Sequence, residues 1–230
     1  MRQSRIAVTA FAALCCGGLG HDAMAADRGA SFNWSGFYVG AQVGQSWATA
    51  DTAFVWPFNG RTYSTSNELD RVIGGAYAGM NVQTPSNFVF GIEADVTFGD
   101  AADRDSPYYE NGVLYPGVTG FASSDWSVGG RTRIGYAMDR FMPYVAVGVA
   151  AGNVKVGYLQ PLDNHGHDTM LGITLGAGLE YALTRNMIAR FDYKYADFNG
   201  KTTIVGNNPP TPTKIDLDRH DLMFGLAYKF

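Results

Sequence analysis

The sequence predicts an all-β protein, an eight-stranded antiparallel up-and-down transmembrane β-barrel. Three observations predict it. Eight segments alternate apolar residues with small or polar ones at period 2, the spacing of a strand with two unlike faces. The connections alternate short and long, as in an up-and-down meander with every short turn at one end. The two faces also differ in kind, one aliphatic and aromatic, the other carrying glycines and charges of both signs. Of 230 residues, 17% are charged, 13% are aromatic and 29 are glycine. That is too apolar for a disordered chain. A net charge of −4 leaves no basic footprint, so nucleic acid is not an expected partner.

The segments span about 34–47, 69–83, 88–98, 124–136, 142–158, 168–183, 187–197 and 218–230. The third is the clearest. Phe88, Phe90, Ile92, Ala94, Val96 and Phe98 share one face, and Val89, Gly91, Glu93, Asp95 and Thr97 the other. The sixth and eighth behave alike. The second is small or apolar on both faces, and its orientation stays open. Short turns at 84–87, 137–141 and 184–186 carry Pro85, Asn87, Asp139 and Asn186, residues that favour turns. The other connections, 48–68, 99–123, 159–167 and 198–217, are expected as four long loops.

The charges decide which face meets water. Glu93, Asp95, Glu180, Asp192 and Asp221 stand with Arg131, Arg133, Arg190, Lys194 and Arg219 on one face. A dry lipocalin-like cavity excludes ten charges, because each unpaired buried ion costs several kcal/mol. The reverse arrangement, with the aromatic face inside, overfills an eight-stranded interior. A membrane barrel resolves both: apolar side chains face lipid and charges face the lumen. Aromatics gather near both strand ends, as interfacial girdles do. Trp34, Phe88, Tyr136, Tyr144, Tyr181 and Tyr228 are assigned to the short-turn end, and Trp47, Phe98, Trp126, Tyr158 and Tyr195 to the other.

Residues 1–25 read as a secretory signal peptide. Arg2 and Arg5 precede an uncharged, mostly apolar stretch, and Ala23-Met24-Ala25 places cleavage before Ala26. The barrel domain is then 26–230. The two cysteines, Cys15 and Cys16, leave with the signal, so no disulfide framework is expected.

The stretch Phe32-Asn33-Trp34-Ser35-Gly36-Phe37-Tyr38-Val39-Gly40 resembles the opening of small alphaproteobacterial outer-membrane β-barrels, labelled porin family or opacity-like surface antigens. Gly74-Gly75 through Gly79 and Asn81, Phe90-Gly91-Ile92-Glu93-Ala94-Asp95, Arg131-Thr132-Arg133-Ile134-Gly135-Tyr136 and Tyr228-Lys229-Phe230 extend the likeness. It covers nearly all of the mature chain. Val82 stands where that family usually has an aromatic. The resemblance implies residence in the outer membrane of a Gram-negative bacterium, with contact to outer-membrane lipid and lipopolysaccharide. Tyr228 and Phe230 resemble the terminal signal through which the barrel-assembly machinery recognises its clients. Relatives are variously described as porins, surface antigens and hemin binders, so membership alone does not assign an activity.

The candidate site is the lumen. Arg131 and Arg133 are expected to meet Glu93 and Asp95 on the neighbouring strand. Arg190, Asp192 and Lys194 are expected to meet Arg219 and Asp221, since adjacent strands place such side chains within reach. The first reading is a surface and envelope protein with a charge-paired lumen. The second is a small, weakly selective pore. The third is a loop-borne ligand site, with hemin as the candidate ligand. Asp163-Asn164-His165-Gly166-His167-Asp168 is the only cluster with ligand-like spacing, and His165 and His167 are weak metal candidates beside a plain solvated turn. His220 falls on the lipid-facing set. No nucleophile motif accompanies a histidine, and no glycine fingerprint marks a nucleotide site. The expectation is therefore a non-enzyme without cofactor, and the sequence sets no oligomeric state.

Overall fold

The structure is a computed structural model that describes residues 32–55, 58–159, 164–198, 201–205 and 211–230. Within its strands, side chains are described except at 100–106, 108, 115–122, 154–159, 164–168, 201–205 and 211. The signal segment and Ala26 lie outside the described residues.

Among the described residues nine β elements follow one another: β1 (Gly36–Val55), β2 (Thr62–Gln83), β3 (Phe88–Glu110), β4 (Val113–Tyr136), β5 (Phe141–Leu159), β6 (Asn164–Ala182), β7 (Met187–Asp197), β8 (Lys201–Val205) and β9 (Thr211–Lys229). β1 to β7 pair antiparallel in chain order, β9 pairs antiparallel with β7 and β8, and β1 closes on β9 from Tyr38↔Lys229 to Phe54↔Thr213. β7 and β8 pair successive stretches of β9. They form one stave, and the barrel has eight. Closure removes sheet edges, which hydrocarbon requires because it offers no partner to a free N–H or C=O.

The four expected long loops are corrected. Most of their residues extend the strands as hairpins beyond the barrel belt. β1 and β2 stay in register up to Val55↔Thr62, and β3 and β4 up to Glu110↔Val113. Two turn signals went unused in the sequence. Asn111 and Gly112 have φ of 48° and 83°, and Gly60 follows Asn59 with φ 67°. Positive φ at both central residues matches the right-handed twist of flanking strands, so Asn-Gly closes a two-residue hairpin. At the opposite end Asn87 and Asp139 take φ of 66° and 55°, conformations that Asn and Asp tolerate better than most residues.

Alternation sorts the side chains. Phe37, Val43, Phe90, Ile92, Val147, Ile173, Leu175, Phe224 and Leu226 point outward and are exposed. An apolar belt this extensive is untenable on a water-soluble monomer. The open question of β2 is settled: Asn67, Leu69, Arg71, Ile73, Tyr77 and Asn81 are buried inside, and Val72 and Val82 face out.

Two girdle assignments are corrected. Trp34 is fully buried. Its Nε1 donates to the Asp139 carbonyl at 3.1 Å and its backbone N–H to Gln83 Oε1 at 2.8 Å. Tyr144 points into the lumen. Tyr144 follows from parity, since it shares the inward phase of β5 with Met142 and Ala146, whereas Trp34 precedes β1 and is held inside by these two hydrogen bonds. Phe88 and Tyr136 do face outward and meet edge to face at 5.4 Å. Tyr181, Tyr228, Trp47, Phe98 and Trp126 are likewise exposed. Tyr158 has its side chain outside the described residues.

The lumen is layered. At the short-turn end Trp34, Val89, Met142, Ala182, Ile188 and Ala227 belong to one apolar cluster with Tyr38, Tyr77 and Tyr144. At the long-hairpin end Ala50, Phe54, Leu69, Met170, Phe198, Ile215 and Leu217 belong to another. The charges lie on strand positions between them. Glycine makes the aromatic packing possible. Tyr38 lies opposite Gly79, Tyr77 opposite Gly40 and Tyr144 opposite Gly178. In each pair the ring occupies the space a side chain across the ladder would take. A Cβ on Gly40 or Gly178 would stand 2.5 Å from a tyrosine ring carbon, and one on Gly79 would overlap the Tyr38 hydroxyl.

Candidate functional site in the barrel lumen

All ten lumen candidates named from the sequence are buried inside the barrel. They occupy the inward phase of β3 (Glu93, Asp95), β4 (Arg131, Arg133), β6 (Glu180), β7 (Arg190, Asp192, Lys194) and β9 (Arg219, Asp221).

Glu93 is the hub. Its Oε1 accepts from Arg131 Nε at 2.9 Å and from Arg190 Nη1 at 3.0 Å. Its Oε2 accepts from Arg190 Nη2 at 2.6 Å, the Tyr38 hydroxyl at 2.7 Å and Arg133 Nη1 at 3.4 Å. Glu180 receives both Nη atoms of Arg133, at 2.8 and 2.7 Å, and Arg190 Nε at 2.8 Å. Asp192 accepts from Arg131 Nη1 at 2.9 Å and from the Tyr144 hydroxyl. Fork-to-fork pairing of this kind is the strongest way to hold a guanidinium away from water. The tyrosines complete the solvation, with Arg190 3.9 Å from the Tyr77 ring centre and Arg133 4.6 Å from that of Tyr144.

The expected partners are corrected in part. Arg131 and Arg133 do reach Glu93 on the adjacent strand. Asp95, however, accepts from Lys194 on β7 at 3.0 Å, and Asp192 is held by Arg131 on β4. Arg190 turns to Glu93 and Glu180. The ties therefore run between β3–β4 and β6–β7, across the lumen. An eight-stranded barrel is narrow and its strands tilt and stagger, so a residue on another wall comes within side-chain reach. Toward the long-hairpin end Arg219 Nη1 donates to Ser127 Oγ at 3.2 Å, and Asp221 stands 3.9 Å from Lys194 Nζ.

Sequence reasoning missed Arg71, whose guanidinium donates to the carbonyls of Gly99 and Ser124. Its position was readable: it shares parity with Asn67 and Asn81 on the strand whose facing was left open. Tyr38, Tyr77 and Tyr144 were missed as lumen residues because aromatic bulk was assigned wholly to lipid. His220 is exposed as expected, and its Nδ1 lies 2.8 Å from the Tyr193 hydroxyl. His165 and His167 stand opposite Gly157 and Lys155 in the β5–β6 hairpin, with side chains outside the described residues. Tyr228 faces out on β9, and Phe230 donates its backbone N–H to the Phe37 carbonyl at 2.9 Å.

A closed antiparallel barrel with an apolar outer belt, aromatic rims and an ion-paired interior defines an integral outer-membrane β-barrel protein. The chain matches the outer membrane protein beta-barrel domain over residues 10–230, and it belongs to that family. It is 30% identical over 203 residues to the 25 kDa outer-membrane immunogenic protein of Brucella abortus, covering 86% of this chain and 80% of that one. It is 30% identical over 201 residues to the 22 kDa outer membrane protein of Rhizobium leguminosarum, covering 86% and 79%. Among solved structures, the outer membrane protease OmpT of Escherichia coli superposes with a TM-score of 0.55 at 10% identity, covering 88% of this chain and 99% of that one. The outer membrane protein OprG of Pseudomonas aeruginosa superposes with 0.51 at 12%, covering 86% and 98%. These two likenesses are of fold alone. The protein resides in the outer membrane.

Proposed function

We propose that this protein is a non-conducting envelope and surface protein, a stable barrel that presents four extended hairpins outside the cell and has no enzymatic role. The observation that carries the reading is Glu93, which gathers three arginines and a tyrosine from three other strands. A conducting lumen lines a water path with charges free to exchange with ions. Here the central charges are spent on each other, with apolar clusters on both sides along the strands. The relatives' description as outer-membrane immunogenic proteins supports surface display. In this reading residues 1–25 direct export and are removed before Ala26. The strand ending Tyr228-Lys229-Phe230 is read by the assembly machinery, and the belt contacts lipid and lipopolysaccharide.

The test is single-channel recording of the folded protein in planar bilayers. The expected result is no discrete current steps. Steps that change when Arg131 and Arg133 become Ala establish a small porin instead.

A further inference from the structure

The outer face of the long-hairpin end carries an open groove of about 240 Å³, lined by Asp51, Ser64, Ser66, Tyr109, Lys214 and Asp216. Register brings these residues together. Asp51 lies opposite Ser66 on one side and Asp216 on the other, Ala53 opposite Ser64 and Lys214, and Ser64 opposite Tyr109. Asp51 shares the outward phase of β1 with Val43 and Trp47, and Ser66, Tyr109 and Lys214 are likewise exposed. The side chains of Asp51, Ser64, Ser66 and Tyr109 make no hydrogen bond, ion pair or ring contact among the described residues. Lys214 is tied to Asp216 at 2.7 Å.

The chemistry of the groove selects the ligand. Two carboxylates repel an anion, and the ammonium beside them is already paired. Among the described residues no group of three His, Cys, Asp or Glu could hold a metal ion. An apolar molecule leaves Asp51, Ser64 and Ser66 unused. A sugar ring uses all of them. Its hydroxyls donate to the carboxylates, exchange hydrogen bonds with the serines and accept from Lys214, and its C–H face lies against the electron-rich face of the Tyr109 ring. Pockets for drug-sized ligands run about 300–1,000 Å³, so this smaller groove suits a single ring. Position names the source. Asp51 follows Trp47 of the aromatic rim by four positions on the same face of β1, about 13 Å along the strand at about 3.3 Å per residue. At a strand tilt of about 40° that is about 10 Å above the rim, whereas a headgroup layer is about 5–8 Å deep. The groove therefore stands level with the sugars of the outer leaflet's glycolipid. We propose that it binds a sugar ring of that glycolipid, from the saccharide of lipopolysaccharide. The proposal rests on the reading above in which the hairpins face outward and the belt contacts lipopolysaccharide.

The test is NMR titration of the labelled, folded protein in detergent micelles with the deacylated core oligosaccharide of lipopolysaccharide. Saturable amide shifts are expected at Asp51, Ser64 and Ser66, with none at Val89, buried in the apolar cluster of the short-turn end. Tyr109→Ala and Asp51→Asn change exposed side chains. Each is expected to keep the heat-modifiable gel shift and to weaken binding about tenfold, the loss of one good contact. Unmoved groove amides, or an affinity unchanged in both variants, overturn the proposal. A second arm compares phospholipid bilayers with and without lipopolysaccharide, read at the Asp51 amide and the Trp47 indole. Shifts at both are expected. Lipopolysaccharide that moves Trp47 and leaves Asp51 in place overturns the glycolipid as the source, and the belt contact stands. Lipopolysaccharide that moves neither overturns the belt contact itself, and the source with it.

Discussion

Tyr38 lies directly across the β1–β2 ladder from Gly79, and its hydroxyl reaches over that glycine to Glu93 Oε2 at 2.7 Å. The pair joins the two systems that fill the barrel. The missing side chain at 79 leaves the space that the ring occupies, and the ring delivers one more donor to the most heavily shared carboxylate.

Gly79→Val is therefore expected to displace Tyr38 and to destabilise the barrel by about 1–3 kcal/mol, the usual cost of overpacking. Gly40→Val and Gly178→Val are expected to do the same through Tyr77 and Tyr144. Urea unfolding in detergent micelles measures this, with Gly130→Val, where nothing lies within 4 Å of a Cβ and the backbone is not left-handed, as the uncrowded control.

Glu93→Gln removes the charge that compensates Arg131, Arg133 and Arg190 together. Breaking a buried ion pair by deleting one partner costs about 3–5 kcal/mol, because the remaining charge stays buried and uncompensated. The variant is expected to lose its heat-resistant gel form at lower temperature than the parent. Lys214→Ala removes an exposed tie to Asp216 and is expected to change that temperature little, since surface pairs contribute at most about 1 kcal/mol.

Tryptophan depth tests the corrected placement of Trp34. In single-tryptophan variants reconstituted with brominated lipids, Trp47 and Trp126 are expected to be quenched. Trp34, inside the barrel and bonded to Asp139, is expected to remain bright. Strong quenching of Trp34 places it back in the girdle.

Gly112→Ala puts a Cβ on a residue with φ of 83°. Substituting a side chain at such a position costs on the order of 1 kcal/mol. The effect is expected to stay local: faster protease cleavage of the β3–β4 hairpin on intact cells, with the barrel's unfolding midpoint unchanged.

The class of the protein was legible in its residues alone. Period-2 alternation is local, so the phase of Phe88 through Phe98 assigns β3 to lipid and lumen without knowledge of any neighbour. The same phase carries all ten lumen charges to the inside. Alternating connection lengths likewise determined the stave count and the up-and-down order. Three things belonged to the tertiary structure. The extension of the outer strands depended on turns such as Asn111-Gly112, whose signal is two residues long. The facing of β2 depended on its register against Gly40 and Gln42, because small residues on both faces leave no hydrophobic phase. The partners of Asp95 and Asp192 depended on the closing of the cylinder. Pairing along adjacent strands follows from sequence order, whereas Lys194 reaching Asp95, or Arg131 reaching Asp192, is decided by tilt, stagger and a lumen narrow enough for one side chain to cross. The same narrowness decided that Tyr38, Tyr77 and Tyr144 turn inward, each where a glycine across the ladder makes room.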